Sequence, residues 1–371
     1  DYLQPSTPAF HPACQNQSST LIAMMKVTKH FCACMFWAVT AFAQPDLEGT
    51  GLLGTPLRSE RDTSGKIAKA DADLKTAPQN PDLILAAGRA RDSLQQYNGS
   101  IKIYSQGVTY HPGDARFWRL RGHRYISIRK FSEAVRDLEK ARSLAPSSFE
   151  ASYYLGIALY FNGAFNDSAN EFARCVNMAG KPDEHAKTLP KGMPSCADLH
   201  KSQNFLVAIA DWHYRSLRRA NRADEAKQLL ENIREGWQVQ DNLGNYRALL
   251  FYKGKMQEKD ALEGMQGIGY TNAASGIALA QMMNGKTANA CGTWKKVAAD
   301  KLWPAFGVIA AEVELMRILG GGDHPHALVN LVGGGMGAGV GAGRPARQHH
   351  DLVPVGHQRG GQLVDVAAQP A

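Results

Sequence analysis

Residues 115–148 read ARFWRLRGHRYISIRKFSEAVRDLEKARSLAPSS, and the spacing inside this stretch decides the fold. Trp118, Gly122 and Tyr125 fall at intervals of four and three, then Ala134, Leu138 and Ala141 repeat that spacing before Pro146. This is the pattern of two amphipathic helices in succession. Gly122 and the alanines are small where two antiparallel helices must touch. The large apolar residues fill the holes between them, and Pro146 stops the second helix. The pattern recurs. Gly88, Gly122 and Gly156 are each 34 residues apart, as are Pro78, Pro112 and Pro146, and Tyr97, Phe131 and Phe165. Three residue classes sharing one period define an internal repeat.

The unit 115–148, with Trp118-x2-Arg121-Gly122-x2-Tyr125 followed by Ala134, Leu138, Ala141 and Pro146, resembles the tetratricopeptide repeat. Arg121 stands where that repeat prefers leucine. Weaker copies flank it. In 81–114 the pattern places are Ile84, Ala87, Gly88, Arg91, Ser100, Tyr104, Gly107 and Pro112; in 149–182 they are Ser152, Leu155, Gly156, Leu159, Ser168, Phe172 and Cys175. Residues 64–78 form a preceding half-repeat, so the array spans 64–182. An insertion, 183–206, carries two prolines and breaks the register; a fourth unit resumes near 207, a last one fits 271–304, and 303–318 forms a closing helix. Residues 245–318 are similar to the C-terminal half of exported bacterial tetratricopeptide proteins. The expected fold is all-α, a right-handed α-solenoid of antiparallel helix pairs with a concave groove.

The resemblance implies that ligands lie in that groove, on positions 2, 5, 9, 12 and 13 of each first helix. These include Arg89, Arg116, Arg119, His123, Tyr153, Tyr160, Arg215 and Arg218. Residues 115–148 hold nine Lys or Arg against three Asp or Glu, most of the chain's net charge of +8. Guanidinium groups with interleaved tyrosines suit an extended peptide bearing carboxylates. The same residues also read as a solvated face and as inter-repeat packing. The family's carboxylate clamp typically uses asparagine at position 9, where this chain has Arg89, His123 and Ile157. The function expected is a non-enzymatic scaffold for a protein or peptide partner. The alternatives are an accessory domain of an envelope enzyme or export complex, docking through the C-terminal helices, and a structural spacer.

Composition sets the outer bounds. The chain has 371 residues, 44% hydrophobic and 20% charged, as in globular proteins, which excludes full-length disorder and a polytopic membrane protein. The ends differ from the middle. Residues 1–23 lack periodicity and read as an upstream segment foreign to the natural product. In 24–43 a cationic stretch, an apolar run and Ala41-Phe42-Ala43 follow in the order of a signal peptide, which places the protein in the periplasm or secreted. Residues 44–63 read as a flexible segment. The tail 319–371 is Gly-rich and reads as disordered; Gly337-Ala-Gly339-Val-Gly341-Ala342 there lacks the length for a nucleotide-binding unit, and its five histidines read as solvated.

No nucleophile elbow, HExxH or P-loop occurs, and no cofactor, metal site or nucleic-acid partner is expected. Asp71 with Asp73, and Glu312 with Glu314, are two apart and do not share a helix face. His185 and His200 flank Cys196 in the insertion, where a structural cysteine is the simpler reading than a nucleophile. In an oxidising compartment Cys175 and Cys196 can bridge and pin the insertion to the third unit. Asn98-Gly-Ser100 and Asn166-Asp-Ser168 match the glycosylation sequon and read as inter-helix turns.

Overall fold

The computed structural model describes Cys14 and residues 46–190 and 193–320. The expected signal peptide, the remainder of 1–23, and the tail from 321 with its glycine motif and histidines lie outside the described residues.

A short antiparallel hairpin comes first, β1 (Leu47–Thr50) and β2 (Pro56–Arg58). It stands where a flexible segment is expected. It is held because Leu57 is wholly buried beside Tyr97, Ile128 and Trp303, while Trp303 Nε1 donates to the Arg58 carbonyl. Helices follow in pairs. They are α1 (Lys66–Thr76), α2 (Pro81–Asp92), α3 (Tyr97–Tyr110), α4 (Ala115–Ser127), α5 (Phe131–Leu144), α6 (Phe149–Phe161) and α7 (Phe165–Val176). Beyond the insertion come α8 (Gln203–Arg219), α9 (Ala223–Glu231), α10 (Leu243–Tyr252), α11 (Glu258–Leu262), α12 (Gly267–Met283), α13 (Thr287–Ala298) and α14 (Phe306–Gly320). Each helix of the array packs on the next in sequence, which is the all-α solenoid expected.

The period reappears in every local device. Asn80, Asp114 and Ser148 cap α2, α4 and α6, each accepting from amides of the first turn. Gln95, Arg129 and Gly163 adopt φ of 58, 64 and 85° at the turn after each first helix. The repeat glycines mark the helix crossings. A Cβ at Gly88 would enter the Tyr104 ring, one at Gly122 would meet Leu138, and one at Gly156 would enter the Phe172 ring. Both sequons lie in first turns of helices, α3 and α7, rather than between helices. Asn98 there donates to the Glu48 carbonyl and Ser100 is buried.

The described part of the insertion is tied to the third unit. Ser148 and Ser195 form a β-bridge, Cys196 N donates to the Ser147 carbonyl, and a disulfide joins Cys175 to Cys196 with Cα atoms 5.1 Å apart. The C-terminal helices then turn back on the array. One continuous core holds Phe161, Phe172, Trp212, Trp294, Val308 and Ile309, so α14 shares its interior with α6, α7 and α8. The first unit has its own smaller cluster of Ile84, Leu85, Tyr104, Phe117 and Leu120.

Candidate functional site: the concave face

The first helices α2, α4, α6 and α8 present the positions that would line a groove. Burial along them rises with the chain. Asp82 and Arg89 of α2 are exposed, and Arg116 of α4 is half-buried. Arg119 is buried, and in α6 Ile157, Tyr160 and Phe161 are all closed off from solvent. The covering element is α14. Phe306, at its start, has its ring 5.4 Å from His123, 6.1 Å from Tyr154 and 6.3 Å from both Phe161 and Trp212. Further along, Tyr160 donates its hydroxyl to Glu314 at 2.6 Å, and Arg317 donates to the Tyr160 and Phe161 carbonyls.

Two expected groove residues are therefore interior residues. Tyr160 is 1% exposed and edges against Trp212 and Phe165. Arg215 is also 1% exposed; it pairs with fully buried Asp211 at 2.5 Å, donates to the Asn272 carbonyl and lies over the Trp212 ring. Asp211 accepts further bonds from Asn245 and Tyr252, so this polar group ties α8 to α10 and α12. A buried charge needs such partners. Arg218 leaves the face, donating to the Tyr214 hydroxyl and to Asn284. Tyr153 is half-buried between Phe149 and Phe172. His123 stacks on Tyr154 at 4.2 Å, and burial, with Arg124 and Arg119 beside it, holds its imidazole well below the usual histidine range.

The charge surplus of the second unit is also resolved in space. Arg116 pairs with Asp114 and with Asp82 of the first unit, and Arg124 lies 3.6 Å from Asp92 of that unit. Arg119 lies 3.3 Å from Glu150, and Arg142 lies 3.8 Å from Glu171, both in the third unit. Arg121 pairs with Asp137 of its own unit, and Arg129 with Glu312 of α14. Arginines that look like one cationic patch in sequence are shared between neighbouring units in the fold. What remains open toward solvent is the part formed by α2 and the start of α4.

The other singled-out residues have structural partners. Asp71 binds Arg91 and Asp73 binds Lys69. Cys196 is in a disulfide and has no thiol, and His200 Nδ1 contacts the Ala197 carbonyl. Among the described residues, no cluster of three His, Cys, Asp or Glu is placed to hold a metal, and no helix is long and apolar enough to cross a membrane. Reading the sequence missed the role of Glu312 and Glu314. Two acids inside an otherwise apolar closing helix require buried cations, and that signal points to Arg129, Arg219 and Arg317.

No protein-family model matches the chain. It is similar to small glutamine-rich tetratricopeptide repeat-containing protein 2 of Saccharomyces cerevisiae, 25% identical over 108 residues, 29% of this chain and 31% of that protein. The protein of the same name from Mycosarcoma maydis is 22% identical over 135 residues, 36% of each chain. The chain thus aligns with about a third of the length of these relatives. Among solved structures, a tetratricopeptide repeat protein from Parabacteroides merdae is 13% identical with a TM-score of 0.42, covering 66% of this chain and 90% of that one. YrrB, described as a tetratricopeptide protein with an unusual peptide-binding site, is 13% identical with a TM-score of 0.37, covering 61% and 97%. The 34-residue helix pairs and the repeat-containing relatives give the chain a tetratricopeptide-type fold.

Proposed function

We propose that the chain is a non-enzymatic scaffold, exported to an oxidising compartment, that holds an extended segment of a partner protein on the open part of its concave face. One observation carries the reading. The groove is filled by α14 from the third unit onward, whereas Asp82 and Arg89 stay exposed on α2 and Arg116 on α4 is half-buried. Arg89 is the residue there suited to grip a carboxylate on the bound segment, since Arg116 already pairs with Asp114 and Asp82. The anionic character of the ligand is thereby confined to one or two positions, because most arginines of the second unit already have acidic neighbours. The disulfide between Cys175 and Cys196 fits an oxidising compartment.

The test is site-specific photo-cross-linking in the full chain, with the probe at position 82, 224 or 268. An adduct formed from 82, and lost when Arg89→Glu is added, supports groove capture. An adduct from 82 that is indifferent to Arg89→Glu, or none at all from 82, rejects it. The second reading, docking through the C-terminal helices, is favoured by Ile268, which is 59% exposed at the start of α12. An adduct from 268 alone would select that reading.

A further inference from the structure

Where α14 begins to fill the concave face, three rings form a tier. His123 of α4 stacks on Tyr154 of α6 with centroids 4.2 Å apart, and Phe306 of α14 lies 5.4 Å from the first and 6.1 Å from the second. All three are half-buried. Burial lowers the His123 imidazole and raises the Tyr154 phenol, so the tier is uncharged near neutral pH. Beside it lies Arg119, one turn before His123 on α4 and 7% exposed. Its charge reaches both His123 and Tyr154. Yet Arg119 Nε has no hydrogen-bond partner among the described residues. Glu150 Oε2, 3.3 Å away, balances the charge without accepting that bond. The other deeply buried arginines behave differently, since Arg129 and Arg215 each donate two bonds to their acids. A buried donor left unanswered is costly, so Arg119 calls for an acceptor.

We propose that Arg119, Glu150 and the ring tier form a subsite for a tyrosine side chain of the bound segment. The ring packs against Phe306, His123 and Tyr154, where aromatic pairs are favourable. The phenol oxygen accepts from Arg119, and its O–H donates to Glu150. A hydroxyl is the group that can do both. A carboxylate there would gain from Arg119 and lose to Glu150, and a purely apolar side chain would leave the guanidinium unanswered. The subsite rests on the groove reading for the source of the tyrosine, but it does not use Arg89.

The experiment titrates the full chain with N-acetyl-tyrosine amide, its phenylalanine and leucine counterparts, and N-acetylglycine as a carboxylate probe, followed by NMR. The tyrosine probe should saturate and bind about tenfold tighter than the phenylalanine probe, with leucine weaker again. The O-methyl ether of the tyrosine probe cannot donate to Glu150 and should bind no better than phenylalanine, a comparison that leaves the protein unaltered. In variants of parental helix content, Arg119→Met should bring tyrosine down to the phenylalanine level. Phe306→Leu should weaken both aromatic probes about fivefold and keep their ratio. A tyrosine probe that does not saturate, or that binds no better than leucine, overturns the subsite. So does tighter binding of N-acetylglycine, or a tyrosine preference that survives Arg119→Met. Loss of the cross-link from position 82 with tyrosine binding intact would reject the extended segment and keep the subsite. The cross-link with no tyrosine binding would do the reverse.

Discussion

Arg129 and Glu312, 183 residues apart, form a two-bond ion pair, Nε to Oε2 at 3.0 Å and Nη2 to Oε1 at 2.9 Å. Their side chains are 3% and 2% exposed. Three parts of the chain meet at this pair. Arg129 is the left-handed turn residue of the second unit, Glu312 belongs to α14, and the hairpin tip donates Leu52 N to Glu312. Arg129 also donates to the Trp303 and Ser127 carbonyls. The pair therefore locks the amino-terminal hairpin, the array and the closing helix together.

Removing one partner from such a pair strands the other charge in a dry site. Glu312→Ala is expected to destabilise the fold by about 3–5 kcal/mol, and Arg129→Met by a similar amount. The double variant Arg129→Met/Glu312→Leu should lose much less than the sum. Urea unfolding of the four proteins measures the coupling. Additive losses would show that the two groups do not share one site.

The repeat glycines give a second, opposed pair of outcomes. At Gly122 an added methyl meets Leu138 at 2.7 Å, so Gly122→Ala forces α4 and α5 apart. The expected cost is about 1–3 kcal/mol. At Gly292, on the outer face of α13, an added methyl meets nothing. There Gly→Ala should be neutral or stabilise by about 0.5–1 kcal/mol, because alanine loses less backbone entropy in a helix. Thermal melts of both variants decide it, and equal shifts would contradict the packing account.

How far the fold was legible follows from the same residues. Gly88, Gly122 and Gly156 repeat in identity because one crossing geometry demands them. The caps Asn80, Asp114 and Ser148 and the turn residues Gln95, Arg129 and Gly163 keep the same period but change in identity, so a search by residue type passes over them. Capping and a left-handed turn each accept several side chains. The groove was legible only in part. Position numbers place Tyr160 on the inner face of α6, but the helix that covers it begins at Phe306 and lies across a long separation in sequence. Local charge counting failed for the same reason, since the acids that answer Arg119, Arg124 and Arg129 come from other units. The hairpin, with strands of four and three residues, is too short to show a period.

The disulfide between Cys175 and Cys196 pins the insertion to α7 at a fully buried site. It closes a short loop, with a sequence separation of 21. In the chain-entropy treatment such a loop contributes about 3 kcal/mol. The Cys175→Ala/Cys196→Ala variant should lose that stability and be cut by trypsin after Lys187 far faster than the parent, while helix content stays near its parent value. Cleavage rates that do not change would show that the backbone bonds at Ser147, Ser148 and Pro194 hold the insertion without it.

Acid should weaken the fold through its buried imidazoles before it reaches the carboxylates. At His213 burial, with the Arg222 guanidinium beside it, pulls the ring from 6.5 down to about 4, against a smaller upward pull from Glu225. A base whose folded pKa is depressed stays neutral in the folded chain while the unfolded chain takes up a proton. Below pH 6.5 the unfolded state therefore binds more protons, and stability falls with pH until the folded ring also protonates near 4. The loss from this one group reaches up to about 3 kcal/mol. His123 acts with the same sign, its ring held low by burial and by Arg124 and Arg119. Glu314 adds to the loss only at lower pH. Arg219 and Arg317 overcome its burial and hold its carboxyl below the usual 4.5, so the stability it contributes is present above that value and disappears as pH falls through its folded pKa. Urea midpoints at pH 7, 5.5 and 4.5 test the order. The parent should weaken across this range, and His213→Gln should flatten roughly half of the slope without changing the limb below pH 4. A variant that follows the parent point for point would show that His213 is solvated in the folded protein.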